Sequence, residues 1–95
     1  MLKEINILGK IYKIKYVKKI NNDSDQFGEI DYLKQVIKIH KDCSPEYQES
    51  TLLHEIIHGI LEQLGFDEEN KNEHLICSLE TGLYQVLKEN SIFSF

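Results

Sequence analysis

The sequence predicts a single small α+β domain over residues 1–95: a small antiparallel sheet, made of an N-terminal hairpin plus two further strands between about 3 and 40, packed on two antiparallel helices. Three observations predict it. Apolar and polar side chains alternate before His40, apolar residues recur at helical spacing after Ser44, and 95 residues suffice for one core only.

The first element is a hairpin, because Ile5 and Ile7, then Ile11, Lys13 and Lys15, alternate around Gly9. Asn21-Asn22-Asp23-Ser24-Asp25 is too polar for a core and reads as a mobile loop. Gly28 to Leu33 and Val36 to His40 follow as two more strands. Ser44-Pro45 is a helix start, a capping hydroxyl before a proline at the first helical position, and Gly65 is a stop. Between them lies a helix over about 45–64. On a helical wheel Leu52, Leu53, Ile56, Ile57, Ile60, Leu61 and Leu64 share an arc of about 180°. His54 and His58 stand at its border, with Glu55 farther round. Asp67 caps a second helix over about 68–90, whose apolar arc is Leu75, Ile76, Leu79, Leu83, Val86 and Leu87.

Charge excludes some partners. All 11 cations are lysine, against 16 acids, for a net charge of −5. Without arginine the chain lacks the usual fork for phosphates and guanine edges, so nucleic acid is not an expected partner. The lysines crowd into residues 1–20, six against one acid, where they read as the solvated face of strands. No apolar run approaches the roughly 18 residues that span a bilayer, and Met1-Leu2-Lys3-Glu4 does not resemble a secretion signal. No membrane partner is expected, and the expected compartment is the cytoplasm. Cys43 and Cys77 read as reduced thiols.

The first helix carries His54-Glu55-Ile56-Ile57-His58, the HExxH pattern. Two imidazoles four residues apart sit one turn apart on one helical face, so both reach a single Zn²⁺. Zinc lowers the pKa of a bound water, and Glu55 beside it can take the proton as the water attacks a carbonyl. The pattern therefore predicts a zinc hydrolase, although iron and manganese also suit two histidines and a carboxylate.

Catalytic zinc usually takes three protein ligands, so the second helix must supply one. If the helices run antiparallel, residues near 73–80 return to the level of His54 and His58. Glu73, Cys77, Glu80 and Tyr84 form a stripe there, with Glu73 the first choice as ligand and Glu80 the second. Cys77 reads as a small thiol packed between helices, and His74 as a solvent histidine. His40 and Tyr84 are weaker candidates for stabilising an oxyanion. Gly59 either admits a close neighbour or is merely tolerated.

Gly28-Glu29-Ile30-Asp31-Tyr32, the stretch Thr51 to Ile60, and Leu79-Glu80-Thr81-Gly82-Leu83-Tyr84-Gln85-Val86-Leu87 together resemble a group of small phage and prophage proteins. These are similar to minimal gluzincin-type zinc metallopeptidases, distantly like the ImmA/IrrE group. The resemblance implies paired ligands at His54 and His58, a base at Glu55, and a third ligand at Glu73, the glutamate opening the second helix. It also implies an edge strand along the cleft that pairs with an extended peptide. Only fourteen residues separate His58 from Glu73, a short interval for a gluzincin.

The expected function is thus a zinc-dependent metallopeptidase that hydrolyses a peptide bond in the cytoplasm of a bacterial host cell. Its partner is a protein or peptide substrate, with a phage or host regulator raised by the resemblance. The alternative is a non-catalytic, metal-stabilised binding module of phage origin. Oligomeric state is not legible, and the apolar tail Ile92-Phe93-Ser94-Phe95 can dock on its own domain or on a neighbour.

Overall fold

The computed structural model describes residues 2–20 and 27–91; the polar loop and the apolar tail singled out in the sequence lie outside the described residues. Four strands, β1 (Glu4–Ile7), β2 (Lys10–Val17), β3 (Gly28–Asp31) and β4 (Val36–His40), precede the helices α1 (Pro45–Leu64), α2 (Asp67–Asn70) and α3 (Glu73–Glu89). The chain is α+β, as its sequence predicts.

β1 and β2 pair around a two-residue turn in which both Leu8 (φ 50°) and Gly9 (φ 93°) are left-handed. Such a turn matches the twist of the flanking strands, and the Gly9 N–H is held by Asn6 Oδ1 at 2.7 Å. β3 ends at Asp31, short of the predicted Leu33. The Asp31 carboxylate accepts the N–H groups of Leu33 and Lys34 at 3.0 and 2.9 Å, which turns the chain.

The sheet corrects one expectation. It is mixed rather than antiparallel: its order is β1-β2-β4-β3, and β2 pairs with β4 in parallel. The chain skips a position after β2, and the residues explain which strand takes the centre. β4 brings Ile37 and Ile39, both fully buried, whereas β3 brings Gly28, Glu29 and Asp31, which suit an edge.

Ile7, Tyr12, Ile14, Ile37 and Ile39 form the core, with Leu52, Ile56 and Ile60 of α1 packed on them. Burying a side chain of that size stabilises by about 1.5–3 kcal/mol relative to leaving it exposed. On the opposite face of β2, Ile11, Lys13 and Lys15 meet solvent.

The ends of α1 match the sequence reading. Ser44 Oγ accepts the Tyr47 N–H at 3.2 Å, and Gly65 (φ 80°) closes the helix, with Gly65 N–H to Glu62 carbonyl at 3.2 Å and Phe66 N–H to Leu61 carbonyl at 2.9 Å. A Cβ added at Gly59 would stand 3.0 Å from Ile7 Cδ1 and 3.2 Å from Ile30 Cδ1, so this glycine admits the sheet. The second predicted helix is two. A single turn, α2, ends at Asn70, and Asn72 starts α3 by accepting the Leu75 N–H at 3.1 Å. Of the apolar arc expected on α3, only Ile76 is fully buried; Leu79, Leu83, Val86 and Leu87 are 40–50% exposed. No helix among the described residues is long and apolar enough to cross a membrane.

Candidate metal centre

α1 packs against the sheet on one side and against α3 on another, and the stripe between those faces carries His54 and His58. Both look into a cleft of about 360 Å³ walled by β3, α1 and the first turn of α3. Glu73 opens α3 at the mouth of this cleft. Its Oε1 lies 3.0 Å from His58 Nε2 and its Oε2 lies 3.4 Å from His54 Nε2. The three ligand atoms fall within 4.8 Å of one another.

What holds the two rings is equally informative. His54 Nδ1 lies 2.9 Å from Glu80 Oε1, and His58 Nδ1 lies 2.7 Å from Asn70 Oδ1. A carboxylate and an amide oxygen accept, and each stands closer to its Nδ1 than Glu73 stands to the Nε2 of the same ring, which favours the tautomer with the proton on Nδ1. Asn70 is oriented in turn by donating from Nδ2 to the Tyr32 hydroxyl at 3.1 Å. In that tautomer the two Nε2 lone pairs and the Glu73 carboxylate converge as acceptors. Such a focus calls for positive charge.

A divalent ion meets that requirement. Ligands about 2.0–2.1 Å from a tetrahedral zinc stand about 3.3–3.4 Å apart, close to the two separations seen here. Hydrogen bonding of each remaining ring nitrogen is the usual way such ligands are aimed and their tautomer fixed. The residues present therefore fit a two-histidine, one-carboxylate metal site.

Glu55 stands differently from its place on the helical wheel. It is 7% exposed and turned towards β3, not round towards solvent. Gly28 makes the recess: a Cβ there would collide with Thr51 Cγ2 and stand 3.1 Å from Glu55 Oε2. Burial pushes the Glu55 carboxyl above its ordinary range, against the opposite pull of His54 and His58, while Glu73 and Glu29 add to the rise.

The structure thus brings His54, Glu55, His58 and Glu73 to one cleft and gives Glu80 the task of aiming His54. His74 is exposed. Cys77 is exposed rather than packed between helices, at the end of a second pocket that also touches His54. Partial desolvation by its neighbours, with Glu73 and Glu80 nearby, pushes its thiol up. His40 and Tyr84 stay away from the cleft: His40 Nδ1 accepts the Asp42 N–H at 3.2 Å, and the Tyr84 hydroxyl donates to Glu49 at 2.8 Å. Asn70, Tyr32, Thr51 and Gly28 were not singled out by sequence as site residues. Only Gly28 carried a signal, a glycine opening a predicted strand.

Comparison with known proteins adds no kinship: no family model, no curated protein and no solved structure matches the chain.

Proposed function

We propose that this chain is a zinc-dependent peptidase in which His54, His58 and Glu73 hold the ion and Glu55 acts as general base. The observation that carries the proposal is the convergence of two Nε2 atoms and one carboxylate, set beside a buried glutamate. A divalent ion held there supplies Lewis acidity, acidifying water and polarising a carbonyl.

Glu55 takes a proton from the attacking water at its carboxylate and returns it to the departing amine nitrogen. A carboxyl whose affinity for protons has been raised by burial suits both steps. Tyr32 lines the cleft and accepts from Asn70, which leaves its own O–H to donate to the developing oxyanion. β3 is an edge strand. Its antiparallel ladder with β4 alternates, and the Phe27 carbonyl accepts the His40 N–H, so the backbone groups of Gly28 and Ile30 are directed away from β4 and along the cleft. An extended polypeptide fits there as an added strand. The likeness to small phage and prophage metallopeptidases belongs to the same proposal, with a phage or host regulator in a bacterial cytoplasm as substrate.

The test pairs zinc content with cleavage of unstructured polypeptides. Wild type and Glu55→Gln should both bind one zinc, and cleavage should fall at least about 100-fold in the variant. Equal cleavage by both removes the role given to Glu55. One observation favours a second reading, a metal-stapled binding module: α3 buries little of its apolar face, so an ion bridging α1 and α3 would strengthen a weak junction. Chelation separates the two, since a peptidase loses turnover with its fold retained, whereas a stapled module unfolds.

A further inference from the structure

The His54 ring is a partition between two cavities. Its Nε2 faces the cleft described above. Its Nδ1 faces a second pocket of about 300 Å³, lined among others by Phe27, Tyr47, Cys77 and Glu80. There a His54 ring nitrogen, the Cys77 Sγ and a Glu80 carboxylate oxygen again lie within 4.8 Å of one another, and it is Nδ1 that stands 2.9 Å from Glu80 Oε1. The donor set differs in kind: two imidazoles and a carboxylate on one side, a thiol, a carboxylate and an imidazole on the other. Thiolate sulfur selects thiophilic ions.

A neutral imidazole has one ring nitrogen with a free lone pair and one that carries the proton. Here each nitrogen has a carboxylate beside it, Glu80 at 2.9 Å from Nδ1 and Glu73 at 3.4 Å from Nε2. Whichever nitrogen binds an ion, the other can keep its proton and give it to the carboxylate on its own side. From this symmetry we infer that His54 serves two mutually exclusive ion sites, and that the second, built from Cys77, Glu80 and His54 Nδ1, takes a thiophilic divalent cation. Binding there releases the thiol proton to solvent and transfers the ring proton from Nδ1 to Nε2. An ion in the second site thereby withdraws the Nε2 lone pair from His58 and Glu73, so thiophilic cations act as antagonists of the first site. The second site stands on its own geometry; the antagonism rests on the metal site proposed above.

Cadmium is the probe. The full chain carrying Cys43→Ser, which removes the other thiol, should develop the ultraviolet thiolate-to-cadmium charge-transfer band with an endpoint at one equivalent. The same band should form in Cys43→Ser with Glu73→Gln, which disables the first site, and should vanish with Cys77→Ser. In nitrogen-15 spectra of the histidine rings, cadmium should move the His54 proton from Nδ1 to Nε2. Absence of the band, or its survival in Cys77→Ser, overturns the second site. A band accompanied by a proton still on Nδ1 overturns the exclusivity. Cleavage is not read in any of these measurements, so failure of the peptidase proposal and failure of this one are distinguishable.

Discussion

α1 and α3 are comparable in length, 20 and 17 residues, yet they are held in opposite ways. α1 is wedged between sheet and helix, with Thr51, Glu55, Ile57 and Gly59 all buried. α3 buries only Ile76 fully and leaves four large apolar side chains half in water. His54, Glu55 and His58 thus ride on the anchored helix, while Glu73 and Glu80 ride on the lightly held one. The lesson is that His54, Glu55 and His58 are preorganised by the core, whereas the approach of Glu73 to them is left to an element with little stability to spare.

The largest effect that probes this contrast is in the core. Ile37→Ala should cost about 2–5 kcal/mol in denaturant unfolding, and Leu83→Ala on α3 less than about 1 kcal/mol. Equal losses would mean that α3 is as firmly packed as the sheet.

Metal should then narrow the difference. Zinc at 100 times its dissociation constant should stabilise the fold by about 2.7 kcal/mol, with amide exchange slowing more in α3 than in β2 or β4. Uniform slowing would place the ion's grip elsewhere than at the α1–α3 junction.

The residues that aim the rings come next in size. Glu80→Gln and Asn70→Ala should each weaken zinc about 10- to 100-fold, read by competition with a chromophoric chelator, without a change in circular dichroism. The first acts from α3 and the second from the end of α2. Were only Asn70→Ala to matter, the orientation of His54 would be shown to come from α1 alone.

The smallest effect concerns the far end of α3, where Glu49 of α1 meets the Tyr84 hydroxyl at 2.8 Å and Lys88 Nζ at 2.9 Å. Lys88 and then Tyr84 hold the Glu49 carboxyl below its ordinary value. A group whose folded pKa is depressed contributes stability above its unfolded pKa, and loses it as pH falls through the folded one. Acidification below the ordinary carboxylate range should therefore loosen the end of α3 before the sheet, detected as faster exchange near Lys88. Lys88→Ala should shrink that step, leaving the part held by Tyr84.

Much of this was legible in the sequence, and the boundary follows the range of the interactions. The limits of α1 were readable because Ser44, Pro45 and Gly65 act on their neighbours. The parallel pairing of β2 with β4 was not, since it depends on which of two later strands buries more apolar surface. The break between α2 and α3 escaped notice because it is made by asparagines rather than by glycine or proline. The spacing of His54, Glu55 and His58 and the counting that led to residues near 73–80 needed only helical geometry, with Glu73 and Glu80 both left in view. That Glu55 lies under β3 needed Gly28 to come across from another element, and no helical wheel contains that residue. The hydrogen bonds that fix both rings, accepted by Glu80 and Asn70, likewise join parts of the chain 26 and 12 residues apart.

The single turn of α2, between Gly65 and Asn72, works as a ruler. A residue added to it or removed from it would displace Asn72, which caps α3, and with it Glu73 in the first turn. Glu73 would then swing out of the metal cleft. Apart from Asn70, whose side chain holds the His58 ring, the composition of that segment can drift while its length cannot, so a one-codon insertion there would part Glu73 from His54 and His58 without altering any of the three.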